Sequence, residues 1–351
     1  MTNKELAKLL QVSEATFSLI INNRPGISDK TRIRVINELQ SMGYGSLLQS
    51  GKKVKETSEQ SVNSQHLGFI VYKKHGQIVG DSPFFLLLLE SIEQYVRKCG
   101  YQLVVRMISA QSDVDQQMEE LNQAQLAGII LFATEMSEED MTHFRSFPSP
   151  IVILDNDFTH IAYDSIMINN ELGTYQAVKH LFDLGHRRIG YLQSSMAINS
   201  FVEREKGFHR ALATLGLTLD PQHHIQLSYA EDQSYTEFSE NIEYRNDWPT
   251  AFVSDDDTIV FGVIRALREK APDLLNQLSF VGFNDRPICE LSHPKITSIA
   301  VPKDTFGLIT ARTLIERVQQ VRYATEQDFH KIAVGVHLVE RESTRSFSLP
   351  S

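Results

Sequence analysis

Apolar residues recur every three or four positions in three short segments near the start of the chain, a spacing that predicts amphipathic helices. Each segment follows or begins at a residue that can cap a helix: Asn3, Ser13 and Ser28. A polar stretch containing Pro-Gly separates the second segment from the third, and Gly43 marks the end of the third. Residues 3–44 are therefore predicted to form three short helices.

Past this region the pattern changes twice. Residues 46–66 contain mostly Ser, Gly, Lys, Gln and Glu, a composition typical of a linker. From residue 67 onward, short apolar runs alternate with stretches of helical periodicity. We therefore divide the chain into a domain at 1–45, a linker at 46–66 and a body at 67–345.

The apolar runs of the body predict β-strands, and the stretches between them predict helices. The predicted strands are 67–72, 102–107, 128–132, 151–154, 165–168, 188–192, 224–227, 251–253 and 279–283. The clearest helical stretches are 90–99, which ends at Gly100, and 174–184, which ends at Gly185. This alternation indicates an α/β fold with parallel sheets, and its length favours two lobes. A ligand cleft is expected between the lobes, at the carboxyl ends of the strands.

Composition narrows the class of protein. No apolar run approaches the ~20 residues that a membrane span needs, and the polar start of the chain predicts no signal peptide. Cys99 and Cys289 are too few for a disulfide framework or a zinc site. We therefore expect a cytoplasmic protein with no membrane partner.

Charge is distributed unevenly. The net charge of −10 argues against a chain that coats nucleic acid along its whole length. The first 60 residues nevertheless hold nine basic and six acidic residues, so the acidic excess lies in the body. This asymmetry indicates a small nucleic-acid-binding module joined to something else, although a chance distribution remains the alternative.

The first two predicted helices have the layout of a helix-turn-helix. Ala7 is small enough for the helices to cross closely, and Val12 is an apolar residue that fills the angle of the turn. The second helix offers small polar residues near its beginning, where such a helix enters the major groove. A three-helix core without DNA contacts is the alternative interpretation.

Longer motifs are more specific, and they occur in one order along the chain. They are KELAKLLQVSEATFSLIINNRPGISDKTRIRVINELQSMGY, DSPFF, LAGIILF, IVILDND, LGHRRIGYL, EREKGFHRAL, SDDDTIVFGVIRAL, LSFVGFND and HLVERESTR. With these motifs, essentially the whole chain resembles the LacI family of bacterial transcription regulators. The resemblance implies a helix-turn-helix head, a hinge and a two-lobed body similar to periplasmic sugar-binding proteins. It also implies that the chain dimerises through this body.

The resemblance also implies how the chain is shared between the two Rossmann-like lobes. The first lobe is expected to contain residues 67–163 and 302–323. The second lobe is expected to contain residues 164–297 and 334–345. The chain would then cross between the lobes about three times, which suits a hinge motion.

For DNA, the resemblance places base contacts early in the second helix, at Glu14, Ala15 and Leu19. Their flanking residues are Ser13, Thr16 and Ser18, and the candidate phosphate contacts are Asn22, Lys30, Thr31 and Arg32. Glu14 is able to accept from cytosine N4, and either Ala15 or Thr16 is able to touch a thymine methyl group. Many relatives have arginine in place of Leu19, so the operator sequence cannot be carried over. Helix capping and solvated surface remain the alternative for the phosphate set.

The hinge departs from the family pattern. In direct register, the position of the leucine that wedges into the minor groove falls on Lys53. Either Leu47 or Leu48 serves as the wedge in a shifted helix, or the central DNA kink is weak. Lys52 and Lys53 would attract phosphates in either case.

For the effector, the resemblance assigns seven contact residues. They are Tyr72, Phe84, Phe85, Asp155, Arg204, Asp256 and Asn284. Aromatic rings, carboxylates and a guanidinium suit a sugar or a similarly hydroxylated molecule. Core packing is the alternative for the two phenylalanines. A longer connection that includes Lys73, Lys74 and His75 makes a phosphosugar conceivable, although a solvated loop is the simpler interpretation.

Two polar clusters are not expected to bind metal. The run Asp255–Asp257 opens a predicted helix, where carboxylates cap amides and suit the helix dipole. His223 and His224 follow Pro221 in a polar loop, lack ligand spacing and are expected to be solvated. No metal and no cofactor is therefore predicted.

These observations favour a dimeric, effector-controlled repressor of carbohydrate-use genes that binds a near-palindromic operator. An enzyme is the second class, but the chain lacks a P-loop, a dinucleotide fingerprint and a Gly-x-Ser-x-Gly motif. A periplasmic binding protein is the third class, and the helix-turn-helix head argues against it.

Overall fold

The computed structural model describes residues 3–21, 27–41, 65–76, 83–245, 247–320 and 328–347. The chain forms two compact units, Met1–Ser61 and Val62–Ser351, which we call the head and the body and describe separately. The hinge candidates Leu47, Leu48, Lys52 and Lys53 lie outside the described residues, as does Asn22.

The described part of the head contains the three predicted helices. They are α1 (Asn3–Leu9), α2 (Glu14–Ile21) and α3 (Asp29–Ser41). Their buried residues form one apolar core: Leu6, Ala7, Leu10, Phe17, Ile20, Val35 and Leu39. Leu9 keeps 55% of its surface exposed and does not join this core. The burial of Ala7 agrees with a close crossing of α1 and α2.

The turn between α1 and α2 closes through its own backbone. Val12 N donates to Ala7 O at 3.0 Å and Gln11 N donates to Lys8 O at 3.3 Å, the pattern of a Schellman motif. Gln11 stands at the left-handed position with φ +53°, where glycine is usual. Ser13 then caps α2, because its Oγ accepts from Thr16 N at 3.0 Å.

The body contains twelve strands among its described residues. In chain order they are β1 (His66–Lys73), β2 (Gln102–Ser109), β3 (Gly128–Phe132), β4 (Ile151–Leu154), β5 (Asp164–Ile168), β6 (Ile189–Ser194), β7 (His224–Leu227), β8 (Ala251–Ser254), β9 (Ser279–Asn284), β10 (Thr297–Ala300), β11 (Lys331–Val334) and β12 (His337–Val339). They form two six-stranded sheets, in the orders β11-β5-β4-β3-β1-β2 and β12-β10-β9-β8-β6-β7. All pairs are parallel except β10 with β12.

Helices cover both sheets. In chain order they are α4 (Pro83–Lys98), α5 (Val114–Gln123), α6 (Asn170–Asp183), α7 (Asn199–Thr214), α8 (Glu231–Tyr244), α9 (Asp257–Lys270), α10 (Pro272–Leu275), α11 (Ile288–Leu291) and α12 (Lys303–Gln320). We call the β1-containing sheet with its helices the first lobe, and the β6-containing sheet with its helices the second lobe. All residues of β3, β4, β8 and β9 are buried, as expected for central strands covered on both faces.

The nine strands predicted from apolar runs are all present, but one is in the other lobe. We expected the second lobe to begin at Asp164, whereas β5 pairs with β4 and β11 in the first sheet. The physical reason is that β4 leaves an open edge of the first sheet, and β5 pairs with that edge after the nine-residue connection 155–163. The second lobe therefore begins with α6, and β11 also belongs to the first lobe.

The chain passes between the lobes three times. The passages lie between β5 and α6, between β10 and α12, and between β11 and β12. α12 returns to the first lobe and packs against α4, while β12 closes the second sheet beside β10. Among the described residues, no helix is long and apolar enough to cross a membrane.

Candidate functional site

The carboxyl ends of strands from both sheets meet around one cavity, and both lobes contribute residues to its walls. The first lobe contributes Phe85, Phe132, Thr134, Asp155 and Ile168. The second lobe contributes Ile198, Ser200, Phe201, Arg204, Tyr229, Asp256, Asn284 and Arg286. This is the position in which doubly wound α/β folds bind ligands. Hydrogen bonds with neighbouring residues orient Arg204, Asp155 and Asp256 in this wall.

Arg204 on α7 is the central cation of the cavity and keeps 3% of its surface exposed. Its Nε donates to Asn170 Oδ1 at 2.9 Å, and its Nη1 donates to Asp255 O at 2.5 Å. Its Nη2 donates to Asn284 Oδ1 at 3.3 Å, and the guanidinium lies 3.7 Å from the centre of the Phe283 ring. These contacts fix the plane of the guanidinium before any ligand arrives.

Asp155 faces the cavity from the first lobe. It follows β4 with φ +63°, a left-handed conformation that is uncommon for a residue with a side chain. Its Oδ2 accepts from the Thr134 hydroxyl at 2.6 Å. The surrounding protein removes most of the water, and this desolvation raises the pKa of Asp155 to about 6 despite the Thr134 hydrogen bond and the Arg204 charge.

Asn284 is the second cavity residue with a left-handed backbone, at φ +96°. Its Nδ2 donates to Asp256 Oδ2 at 2.6 Å, so Asn284 joins that carboxylate to Arg204. Backbone strain of this kind persists only where the surroundings enforce it, and it concentrates at functional sites. Two strained strand ends, one from each lobe, therefore face the same cavity.

The Asp255–Asp257 run caps α9, as predicted. Asp256 Oδ1 accepts from Thr258 N at 2.8 Å, while Oδ2 faces Asn284 and the Arg286 guanidinium. Asp255 accepts from the Tyr191 hydroxyl at 2.5 Å and from Ser194 N at 2.6 Å. Burial raises the pKa of Asp255 to about 7. The hydrogen bonds from Tyr191 and Ser194 act in the opposite direction and favour the ionised form.

Aromatic rings form the apolar walls. The centre of the Phe85 ring lies 5.8 Å from that of Phe69 and 5.7 Å from that of Phe132. Phe85 is therefore both a core residue and a wall residue. Phe201 and Tyr229 lie 6.0 Å apart on the opposite lobe. A ligand with apolar faces and polar edges matches these walls.

Five of the seven predicted effector residues line the cavity: Phe85, Asp155, Arg204, Asp256 and Asn284. Tyr72 does not line it. Its ring is buried against Phe144 in the first-lobe core, and its hydroxyl donates to Asp140 Oδ1 at 3.1 Å. The alternation of a β-strand turns Tyr72 to the sheet face opposite Val71, away from the cavity. Phe84 lies in α4, and its side chain is outside what the structure describes.

Sequence reasoning missed several wall residues. Ser200 and Phe201 lie one helical turn before Arg204, so the i+3 and i+4 spacing on α7 was a usable signal. Arg286 directly follows the motif LSFVGFND, which ends at Asp285. Tyr229 comes after β7 and had no local signal.

Two expectations about polar residues change. His223 was expected to be solvated, but it ends the 3-10 helix Pro221–His223 directly before β7 and keeps only 2% of its surface exposed. Lys74 does not line the cavity, and its Nζ instead pairs with Asp140 Oδ2 at 2.8 Å. The backbone nitrogens of residues 74–76 all donate to Glu135 Oε2, which fixes this part of the connection.

In the head, α2 carries the predicted base contacts Glu14, Ala15 and Leu19 and the flanking residue Ser18. Glu14, Ala15 and Ser18 are exposed, and Leu19 is half-buried, while Phe17 and Ile20 point into the core. Thr31 and Arg32 on α3 are half-buried, and the side chain of Lys30 is outside the described residues. The exposed face of α2 is thus free of core packing and available to DNA.

Comparison with known proteins covers both units. Residues 178–344 match the family model for a periplasmic binding protein-like domain. The chain is 26% identical to the ribose operon repressor of Haemophilus influenzae over 98% of this chain and 99% of that protein. It is 28% identical to the HTH-type transcriptional regulator DegA of Bacillus subtilis over 97% of both chains. These relatives are named as regulators of transcription rather than enzymes.

Solved structures agree with the fold. A complex described as transcriptional regulator CelR with cellobiose matches with a TM-score of 0.69 and 22% identity, over 98% of this chain and all of that chain. The lac repressor dimer bound to operator and the anti-inducer ONPF matches with a TM-score of 0.68 and 20% identity, over 98% and 99%. Both likenesses cover the head and the two-lobed body.

Proposed function

Because the chain belongs to the LacI family of bacterial transcription regulators, we propose that it is a dimeric repressor of carbohydrate-use genes controlled by a sugar in the interlobe cavity. The single observation that carries this proposal is the cavity itself. It brings Asp155 of the first lobe and Arg204 of the second lobe to the walls of one cavity. A ligand that binds both residues changes the angle between the lobes.

The head supplies the DNA contact. α2 enters the major groove with Glu14, Ala15 and Ser18 toward the bases, while Thr31 and Arg32 face the phosphates. Two heads of a dimer then read two half-sites of a near-palindrome about one helical turn apart. Binding to operator DNA would place the protein in the cytoplasm.

The body supports dimer formation through the first lobe. Leu86 and Leu87 on α4 are 65% and 45% exposed, and Val105 and Met107 on β2 are 43% and 57% exposed. β2 is the edge strand of its sheet, so these apolar residues lie on a surface that no described part of the chain covers. Sedimentation of the wild-type protein should give a dimer, and Met107→Glu should shift it toward monomer.

The cavity suits a neutral, polyhydroxylated ligand. Its carboxylates, Asp155 and Asp256, are matched by two guanidiniums, Arg204 and Arg286, so the site has little net charge to offer. Asp155 accepts from hydroxyls, whereas it would repel a phosphate. Aromatic rings on both lobes cover the apolar faces of a sugar ring. A neutral sugar is therefore favoured over the phosphosugar alternative.

Ligand binding is coupled to DNA through the lobe angle. The three passages between the lobes let the angle change while each lobe stays intact. A change in angle alters the spacing of the two heads in the dimer and so changes operator affinity. The coupling is reciprocal, because DNA must change effector affinity by the same factor.

Selection of bound duplexes from a random DNA library by the full-length protein tests the DNA half of the proposal. We expect a two-fold symmetric site. Ala15→Glu adds a carboxylate to the DNA face of α2 and should abolish binding of the selected duplex. Ala213→Glu on the exposed side of α7 should bind this duplex like the wild type. Failure to enrich any site, with and without pooled sugars, from protein shown to be folded would contradict the proposal.

The selected duplex then serves to screen the effector. Neutral monosaccharides and disaccharides are compared with their phosphorylated forms for their effect on operator binding. We expect a neutral sugar to act on the wild type and to lose its effect in Asp155→Asn. A response limited to phosphorylated sugars would overturn the neutral-ligand assignment but leave the repressor assignment standing.

A further inference from the structure

Three side chains that commonly bind metals meet at the end of the second sheet opposite the cavity. They are Asp220, His223 and Asp247, and one ligand atom from each lies within 4.8 Å of the other two. Asp220 and His223 precede β7, and Asp247 precedes β8, so the cluster lies at the amino ends of these strands. The interlobe cavity lies at the carboxyl ends, and the cluster has no part in it.

His223 is the unusual member of the cluster. It keeps 2% of its surface exposed, and its Nε2 is shut off from solvent without a hydrogen-bond partner. Asp247 Oδ2 lies 3.6 Å from His223 Nε2, beyond hydrogen-bonding distance. A buried ring nitrogen in this situation costs free energy unless something bridges the gap. The spacing is close to that of two ligands sharing one ion at about 2.0–2.2 Å from each.

The two carboxylates are already oriented. Asp220 Oδ1 accepts from Gln222 N at 2.9 Å, which fixes the short 3-10 helix Pro221–His223. Asp247 Oδ1 accepts from Arg188 Nη2 at 2.5 Å, which leaves Oδ2 toward His223. Hydrogen bonds of this kind commonly orient metal ligands from outside the coordination shell. Both aspartates are exposed, so an ion has a route in from solvent.

We propose that Asp220, His223 and Asp247 bind one divalent transition-metal ion, with Zn²⁺ as the best match to an imidazole and two carboxylates. Water completes the coordination shell on the exposed side. The ion joins the turn before β7 to the segment before β8 and thereby stabilises the edge of the second lobe. Because Arg188 shares Asp247, the affinity is moderate.

A neighbouring cluster offers a competing location. His224 and His209 both lie near Glu205 Oε1, at 3.6 Å and 3.9 Å. His224 Nε2 is, however, already within 3.2 Å of Gln193 Oε1. The geometry therefore favours His223, and variants at both clusters separate the two locations.

The test measures Zn²⁺ binding to the untagged, full-length protein after treatment with chelator. Equilibrium dialysis should give one Zn²⁺ per chain, and Co²⁺ should give visible absorption bands from a low-coordinate nitrogen and oxygen site. Zinc at about 100 times its dissociation constant should raise the Tm of the body by about 5 °C. Mg²⁺ should leave the Tm unchanged, because it prefers oxygen ligands and octahedral geometry.

Asp247→Asn and Asp220→Asn change exposed residues and should fold, yet each should lower zinc affinity at least tenfold. Asp232→Asn removes an exposed carboxylate elsewhere on the second lobe, one that also pairs with an arginine, and should bind like the wild type. His223→Gln should lose the Co²⁺ bands, whereas His224→Gln should retain them. Absence of stoichiometric zinc binding, or its loss in His224→Gln alone, would overturn the proposal.

Discussion

A carboxylate enclosed by protein but open to a cavity responds both to pH and to a ligand, and Asp155 is placed in this way. Its pKa is raised to about 6 by desolvation. The folded protein therefore holds this proton more tightly than the unfolded chain, and ionising Asp155 lowers stability as the pH rises from 3.8 to about 6. A ligand whose hydroxyls donate to the carboxylate has the opposite preference and selects the ionised form.

We therefore expect effector affinity to fall as the pH drops through the pKa of Asp155. The dissociation constant should be about tenfold higher at pH 5 than at pH 7, since only the ionised form binds well. Isothermal titration of the body with its effector at several pH values measures this. Asp155→Asn should bind weakly with a flat profile, and an unchanged pH profile in this variant would show that another group titrates.

Arg204 depends on geometry rather than charge. Its fork joins Asn170, Asp255 and Asn284, and lysine has no planar fork to replace these contacts. Arg204→Lys should lower effector affinity by at least about tenfold and destabilise the body by about 2 kcal/mol. Arg210→Lys on the same helix changes an exposed side chain paired with Glu171 and should stay within about 0.5 kcal/mol of the wild type. Denaturant unfolding and effector titration of both variants separate the two effects.

Sequence patterns identified Arg204 and two other polar cavity residues better than they identified tyrosines. Arg204, Asp256 and Asn284 stand in motifs, and the structure brings them together. Tyr72 was misplaced because the direction of a side chain on a buried strand depends on register, which the residue type does not reveal. Tyr229 was missed because only the three-dimensional arrangement brings the end of β7 to the cavity.

Among the elements, α8 and α9 pack at unusually short range. A Cβ atom at Gly262 would stand 2.8 Å from Glu231 O and would also meet the Ser234 hydroxyl. Gly262→Ala should therefore push the helices apart and lower the free energy of unfolding of the body by about 1–3 kcal/mol. The midpoint of urea unfolding measures this loss.

Gly335 provides the matched control, because a Cβ atom there meets nothing within 4 Å. Gly335→Ala should leave the midpoint unchanged or raise it slightly, by reducing the freedom of the unfolded chain. Equal losses in both variants would mean that glycine acts through the backbone and not through helix packing.

The nine apolar runs predicted nine strands correctly, but they did not include the more polar β10. β10 contains Thr297 and Ser298, both fully buried, and was not among the predicted strands. Its polar groups are satisfied by distant residues: Ser298 Oγ donates to Asp257 at 2.6 Å, and Thr297 N donates to Ser343 Oγ at 2.8 Å. Such long-range partners are invisible to any local pattern.

In the whole molecule, effector binding and operator binding are linked by one coupling free energy. If the effector changes operator affinity by a factor within the usual range of about 5–150, the operator must change effector affinity by the same factor. Titrations of the effector with and without saturating operator, and the converse, measure both factors. Unequal factors would mean that the protein has a further state, such as a change in oligomer, that the two-site scheme omits.

The alternation of apolar runs and helices predicted the architecture of two α/β lobes, because parallel sheets need buried strands and covering helices in turn. The assignment of chain segments to the two lobes was predicted less well. β5 belongs to the first sheet, and β11 joins that sheet from far along the chain. Pairing over such distances depends on which sheet edge is open, and the sequence does not state this.

The three passages between the lobes have a consequence for how the protein is made. On the ribosome, the helices of the head involve only local contacts and are able to form early. The first sheet lacks its edge strand until β11 has emerged, and the second sheet lacks one until β12 has emerged. Both lobes must therefore wait, with unpaired strand edges exposed, for nearly the whole body to be synthesised. Nascent chains interrupted before residue 330 should consequently be targets for chaperones and proteases even though most of both cores is already present.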